Sequence, residues 1–286
     1  MNKVVIMTDS VASISRDMAE KHGIKVIPFH VIMDGKDYPE TEMEMERIYA
    51  RLKEKENLPT TSFPSSGEFL QVYQELSQIA EAIVFISLTS PFSKAYGSAI
   101  EAREMAREKL PKTRIEVIDS RTVTAGELLI VLEAAKAAAQ GKSLEEVIQI
   151  ANSIIPRINL LETRNTLFYV DKGGRIFEAK SWAESENSFR TITEADPFTG
   201  GITKPVTRAK TKTQTMQKML DIARERVGDK KLHAAIVHAD DPEQAGQLRE
   251  MVLSLFQPIE FYLGEASAMT AIHNGQGIIS FGFYAD

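Results

Sequence analysis

Val4-Val5-Ile6-Met7-Thr8-Asp9-Ser10 is the stretch on which the fold turns. Four apolar residues in a row leave no polar face. Such a strand is buried on both sides, as in a parallel sheet. It stops at a hydroxyl- and carboxylate-bearing corner, and a helical pattern over 15–22 follows, closed by Gly23. The order then repeats. Ala82-Ile83-Val84-Phe85-Ile86-Ser87-Leu88 breaks at Thr89-Ser90-Pro91-Phe92-Ser93, and a helix runs to about Lys109. Ser90 and Pro91 suit the N-cap and first helical position. Arg114-Ile115-Glu116-Val117-Ile118 ends at Asp119-Ser120, before an alanine-rich helix over 124–140. Residues 25–32 are a further extended segment, leading to an Asp34-Gly35 turn, and helices are expected over 44–56 and 66–80. Ser143 and Glu146 make a capping box opening a helix that stops at Pro156. Alternating strand and helix predicts an α/β fold with a parallel sheet and right-handed crossovers. Ligands of such sheets bind outside the carboxyl ends of the strands.

Beyond Pro156 the pattern changes. Residues 189–193 and 202–206 read as a hairpin around Asp196-Pro197-Phe198-Thr199-Gly200-Gly201. Strands over 232–237, 259–263 and 278–283 alternate with helices over 212–227, 242–255 and 267–272, so the second sheet is expected to be mixed. With 286 residues the chain exceeds the size at which one core keeps growing. Two α/β domains are predicted, 1–158 and 159–286, with a ligand cleft between them.

Composition narrows the function. Hydrophobic residues at 43% and charged residues at 26% are those of a soluble globular protein. A net charge of −6 argues against a nucleic-acid partner. The absence of cysteine excludes disulfides, thiolate nucleophiles and cysteine-ligated metals, and suits a reducing cytoplasm. The first residues hold too short an apolar run for a signal peptide, and no run approaches the ~18–20 residues of a membrane span. A cytoplasmic protein without stable membrane insertion is expected. P-loop, dinucleotide, zinc-protease and nucleophile-elbow motifs are all missing, and the five histidines lack metal-ligand spacing. No catalytic residue, cofactor or metal is expected.

Three stretches remain that carry chemistry. Thr60-Thr61-Ser62-Phe63-Pro64-Ser65-Ser66 holds five hydroxyls in seven positions, before an amphipathic helix. Hydroxyls with free amides at a helix start can hold an anion. Ser65 and Glu68 also form a capping box, the commoner use of such a run. His273-Asn274-Gly275-Gln276-Gly277 places a histidine beside glycines that allow close backbone approach, which suits a carboxylate clamp or simply a surface turn. Lys172-Gly173-Gly174-Arg175 presents an arginine after two glycines, toward a cleft or as a solvated helix end. The basic run 204–212, with Arg208 and Lys210, is a solvated edge or a contact for phosphate or an acidic partner.

In their order these motifs resemble the DegV family of bacterial fatty-acid-binding proteins, whose characterised members are the binding subunit of a two-part fatty acid kinase. Thr8-Asp9-Ser10 stands where the family has TDS, and Thr61-Ser62-Phe63-Pro64-Ser65 resembles TSQPS. Ser93-Lys94-Ala95-Tyr96-Gly97-Ser98-Ala99 resembles SGTYxSA. Lys172-Gly173-Gly174-Arg175-Ile176 resembles KGGRI, Thr207-Arg208 falls near the basic strand exit, and the segment from His273 resembles H-x-GPG. Phe63, Lys94, Ala95 and Gln276 depart from the pattern, and 181–196, a segment that would line the tail tunnel, fits it poorly.

The resemblance implies one long-chain fatty acid between the domains, its carboxylate held by Thr61, Ser62, Ser93 and His273, with the Lys94 and Gly275 regions supplying amides. It implies a separate ATP-dependent kinase subunit that phosphorylates the carboxylate for phospholipid synthesis, met by Arg175 and Arg208. Two rivals are a dihydroxyacetone-kinase-like subunit holding a small ketone, and a small-acid sensor without a kinase.

Overall fold

The computed structural model describes residues 2–183 and 189–286. Residues 184–188, within the segment expected to line a tail tunnel, lie outside the described residues. Strands β1 (Asn2–Asp9), β2 (Ile24–Ile27), β3 (His30–Met33), β4 (Lys36–Pro39), β5 (Thr60–Ser62), β6 (Ala80–Ser87) and β7 (Arg114–Asp119) precede residue 120. The later strands are β8 (Asn159–Arg164), β9 (Arg190–Glu194), β10 (Lys204–Ala209), β11 (Leu232–His238), β12 (Glu260–Glu265) and β13 (Ile279–Ala285). The helices are α1 (Arg16–His22), α2 (Met45–Glu54), α3 (Ser66–Ser77), α4 (Ala95–Lys109), α5 (Thr124–Ala139), α6 (Leu144–Ile154), α7 (Phe168–Lys172), α8 (Lys180–Ala183), α9 (Lys212–Val227), α10 (Pro242–Phe256) and α11 (Ala268–Asn274).

The first sheet has the order β2-β1-β6-β7 and is parallel throughout. The second has the order β10-β9-β8-β13-β11-β12 and is mixed, with β11 and β12 its parallel pair. Both agree with the sequence pattern. Strand β1 is apolar on both faces because both are covered. Val5 and Met7 face Phe69, Tyr73 and Phe85 on the α3–α4 side. Val4 and Ile6 face the cluster that contains α5.

Helix α5 lies between the two sheets. It packs on β1 on one side and on β11 and β13 on the other. Every residue from Thr124 to Leu132 is buried. It therefore has no polar stripe, and its alanines suit close approach from both sides. Helices α9 and α10 cover the far face of the second sheet. The layers run α3/α4, first sheet, α5, second sheet, α9/α10.

Several elements depart from the sequence reading. Helix α4 opens at Ala95 after Lys94, not at Pro91 after a Ser90 cap. Residues 25–32 are not one strand: β3 leaves β2 after Pro28 and pairs antiparallel with β4 and β5 in a separate three-stranded sheet. The Asp34-Gly35 turn closes β3 to β4 with positive φ at both residues. Residues 60–62, expected as loop, form β5. Strand β8 was not expected at all; each of its residues is buried, among them Glu162 and Arg164. Their ion pair at 2.6 Å lets two charges occupy a strand interior.

Helix α5 and the second sheet approach closely at Gly282 on β13. A Cβ there would lie 2.5 Å from the Ala125 carbonyl carbon and 2.7 Å from the Gly126 nitrogen. Backbone cannot yield as a flexible side chain can. Gly282→Ala is therefore expected to destabilise the chain by about 1–3 kcal/mol or more. Urea unfolding checks it, and an unchanged midpoint would show that the helix is not held this closely.

Candidate ligand-binding site

The parallel strands end at a corner held together by a buried acid. Asp9 Oδ1 accepts from the Val11 amide at 3.0 Å, and Oδ2 accepts from the Leu88 amide at 2.9 Å. The corner expected to face a ligand thus ties the end of β1 to the end of β6. Burial pushes the Asp9 carboxyl up to about 7, opposed by those hydrogen bonds. Glu40, also buried, is likewise pushed up to about 7. Glu127 in the first turn of α5 is raised well above its ordinary value by burial and by Asp9. The acids around this corner therefore hold their protons far better than exposed ones do.

Val11 and Leu88, each two residues or fewer from an Asp9 contact or the β6 terminus, line a cavity of about 50 Å³. Phe92, Val123, Val170 and Met269 extend its apolar wall; Thr124, Glu162, Thr203, Thr270, Arg175, His273 and Asn274 add polar groups. A second cavity, about 190 Å³, is bounded by Leu58, Pro59, Thr60, Thr61, Tyr169, Lys172 and Gly173. Arg175 and His273 line both, so they stand where an apolar cavity meets a more polar one.

His273 ends α11, a short helix opened by the Ser267 N-cap. Its Nε2 lies 2.8 Å from Thr61 Oγ1 on β5, while its Nδ1 is buried with no partner. Dense surroundings, with Arg175 nearby, lower its pKa to about 4, so the ring is neutral at pH 7. A neutral imidazole carries one N–H. With the proton on Nδ1, Thr61 donates to Nε2 and the Nδ1–H is free for a ligand. With the proton on Nε2, the ring donates to Thr61, and the Thr61 hydroxyl proton is free instead. Either tautomer leaves one donor.

Arg175 follows the C-terminus of α7, whose Gly173 cap it adjoins. Its Nε donates to the Phe92 carbonyl at 3.0 Å and its Nη1 to the Gly173 carbonyl. Burial lowers its pKa, yet a guanidinium remains charged at neutral pH. Rather than standing solvated or at a partner-facing surface, it is a part-buried cation in the cavity wall. Gly173 is required beside it: a Cβ there would fall 2.5 Å from His273 Nδ1.

The other residues singled out from the sequence divide differently. Ser65 is used in its capping box with Glu68. Ser62 pairs with His30 in the small sheet and lines neither cavity. Ser93, buried, accepts from the Ala95 amide at 3.1 Å at the start of α4, so its own proton is free to be donated. It adjoins Phe92 of the cavity wall but does not itself line it. Lys94 is exposed. Gly275 has φ +80° and donates its amide to the Ala271 carbonyl at 2.7 Å, so that amide closes α11 and is not offered to a ligand. Its lack of a Cβ admits the Tyr169 ring. Arg208 places its guanidinium 4.2 Å from the centre of the Trp182 ring and lines neither cavity.

Sequence reasoning missed Tyr169, Thr203, Glu162 and Met269. The Tyr169 hydroxyl donates to the Leu52 carbonyl at 2.8 Å, and Thr203 donates to the Arg175 carbonyl at 2.8 Å. These link segments far apart in sequence and carry no local pattern. Among the described residues no helix is long and apolar enough to cross a membrane.

Comparison with known proteins adds to this geometry. Residues 3–286 match a family model described as "Uncharacterised protein, DegV family". A DegV domain-containing protein of Caldanaerobacter subterraneus is 30% identical over 277 residues, covering 96% of each chain. Protein DegV of Bacillus subtilis is 25% identical over 279 residues, covering 96% of this chain and 97% of its own. A solved DegV family protein from Thermus thermophilus, described by its fatty acid binding, superposes with a TM-score of 0.90 at 25% identity, covering 99% and 100%. At 24% identity, the DegV fatty acid binding protein structure of Bacillus subtilis shares the fold, with a TM-score of 0.87 over the whole of both chains.

A neutral His273 gives a direct test. Its ring is expected to titrate near pH 4 rather than near 6.5 in an NMR titration. Since the folded pKa is the lower one, the stability tied to this ring is complete above about 6.5 and is lost as pH falls through 4. His273→Gln should remove that part of the acid sensitivity. A ring titrating at 6 or above would mean that it is not enclosed.

Proposed function

The chain belongs to the DegV family, and on that premise we propose that it binds one fatty acid at the seam between its two sheets, residues 1–158 and 159–286 forming the two lobes. The single observation that carries this is the meeting of Thr61, His273 and Arg175 where an apolar and a polar cavity share a wall. A carboxylate leaving water needs charge-assisted partners or it does not stay ionised. Arg175 supplies the charge. Thr61 with His273 supplies one donor in either tautomer, and the free Ser93 proton lies on the next residue from Phe92 of the wall. Burial raises the pKa of Asp9, Glu40 and Glu127 behind the corner, so they oppose the ligand less than exposed carboxylates would. The tail lies against Val11, Leu88, Val123 and Met269, where each buried methylene contributes about 0.8 kcal/mol.

The apolar cavity as it stands, about 50 Å³, holds about four water-sized groups. A long chain therefore enters by widening the seam. Phe92 and Phe177 stack across it with centres 5.4 Å apart, and their separation is the movement this requires. The bound carboxylate is presented to a separate ATP-dependent kinase subunit, which forms the acyl phosphate; this chain supplies no nucleotide motif of its own. On this reading Arg175 meets the carboxylate first, and Arg208, over the Trp182 ring, meets the partner. Lys94, exposed at the start of α4, stands at the rim.

The small cavity favours one second reading, a sensor of a short-chain acid without a kinase. Chain length separates the two: the main reading requires uptake of long-chain acids by protein stripped of lipid. In such titrations Thr61→Val and Ser93→Ala should each weaken binding by about 1–3 kcal/mol, roughly 5- to 150-fold. Acyl phosphate should form only when kinase, ATP and loaded protein are combined. Stripped protein that takes up acetate or butyrate but no long chain would replace the main reading with the second. Unchanged affinity in both variants would remove these hydroxyls from the site.

A further inference from the structure

The other face of the second sheet carries a second concentration of unsatisfied polar groups. Strands β8, β10, β11 and β12 all run the same way, since β8 and β11 are each antiparallel to β13, and β9 is antiparallel to both β8 and β10. Their carboxyl ends share one edge. Helices α9 and α10, of 16 and 15 residues, both start there, after Thr211 and Asp241 as N-caps. This is where an α/β sheet binds anions, with two sets of helix-start amides converging.

Helix starts alone do not make a site; the side chains between them supply the second observation. Fifteen buried side-chain atoms lack a hydrogen-bond partner among the described residues, and six of these belong to this edge. They are Thr163 Oγ1, Arg190 Nε and Nη2, His238 Nδ1, and both amide atoms of Gln244. Thr163, His238 and Gln244 are 0%, 5% and 2% exposed. Thr163 and His238 both pair with Ile279, so they flank one residue in one row of the sheet. Ile279 and Ile192 of that row pack into the α9–α10 cluster, which sets the face these side chains share. Gln244 is in the first turn of α10, its backbone N–H donating to Asp241 Oδ1 at 3.2 Å. Asp241 also acts on the charges of both Arg190 and His238, which brings these two and Gln244 within electrostatic reach of one carboxylate, while Thr163 joins them through the shared sheet row.

The chemistry favours an anion. Arg190 Nη1 is held by Asn165 Oδ1 at 2.8 Å, which leaves the Nε–Nη2 edge, the fork that grips two oxygens of an oxyanion. Asp241 is already used, as cap of α10 and as partner of Lys212 at 2.5 Å. Asp240 accepts from Gln276 at 2.6 Å. Lys210, Lys212 and Arg190 are balanced by Asp240, Asp241 and Glu265, the last paired with His238 across the sheet, so the edge is neutral overall and Arg190 is its charged donor with an open fork.

We propose that this edge binds a phosphate group, gripped by the Arg190 fork, with Gln244, Thr163 and His238 completing its hydrogen bonds. The site lies on the opposite face of the sheet from the fatty acid. Strand β8 joins the two, carrying Thr163 on one face and Glu162 of the cavity wall on the other. The phosphate is free or carried as an ester of a small molecule.

The test is calorimetric titration of the full chain with inorganic phosphate and with methyl phosphate, at constant ionic strength set by chloride. Saturable binding of one equivalent of either is expected. The tighter of the two identifies free phosphate or the ester as the source. Arg190→Gln should weaken it at least tenfold, and Thr163→Val severalfold if the arginine variant does not fold. Thr61→Val should leave phosphate binding unchanged while weakening fatty acid binding, so failure of one site is distinguishable from failure of the other. No saturable binding, or binding indifferent to both substitutions at the edge, overturns the proposal.

Discussion

The burial of α5 between two sheets is the constraint on which the other arrangements depend. A helix covered on both sides has no solvated stripe, so it must be apolar all round and slim enough to let two sheets approach. Its run of buried residues from Thr124 to Leu132, apolar but for Thr124 and a Glu127 bonded to Thr8, meets the first demand, and its alanines with Gly282 opposite meet the second. Its start is pinned to the second sheet: Thr122 donates to the Ala195 carbonyl at 3.0 Å, and the Thr124 and Ser280 hydroxyls are 2.6 Å apart. With the centre of the seam fixed, space for a ligand lies beside the start of α5, where Val123 and Thr124 form part of the cavity wall.

Charge at the seam follows from the same burial. Asp9, Glu40 and Glu127 are all raised by desolvation, so in the folded chain they keep protons that an unfolded chain would release. Raised pKa values mean that these groups favour folding below the ordinary carboxylate range. For Asp9 and Glu40 that contribution is lost as pH climbs through about 7. Their net effect is a corner with less negative charge than three exposed acids would carry, beside a part-buried Arg175 and a neutral His273. A fixed cation with neutral donors suits a carboxylate whose tail seeks an apolar wall. It suits a small neutral ketone less, since nothing in that ligand would answer the guanidinium.

Much of the scaffold was legible because its signals are local. The apolar run at Val4 to Met7, the hydroxyl corners and the capping boxes at Ser65 and Ser143 each report on a few neighbouring residues, and each is found in place. Strand β8 was missed because a strand bearing Glu162 and Arg164 does not look buried until their pairing is seen. The site was legible only in part. Thr61 and His273, 212 residues apart, do meet. Arg175 was noticed, with cleft and solvated placements both left open and a partner role taken from the resemblance, because a sequence cannot show that the glycines before it turn it into a wall. Gly275 was read as an amide donor, while its positive φ and the Tyr169 ring against it make it a packing residue.

The central claim is that a fatty acid is held by its carboxylate where Thr61, His273 and Arg175 meet. The most direct measurement is a crystal structure of the chain loaded with a long-chain fatty acid. The account predicts carboxylate oxygens about 3 Å from Thr61 Oγ1 or His273 Nδ1 and from the Arg175 guanidinium, with Phe92 and Phe177 parted and the tail along Val11 and Met269. A carboxylate bound elsewhere, with these three residues still facing one another unoccupied, would contradict it.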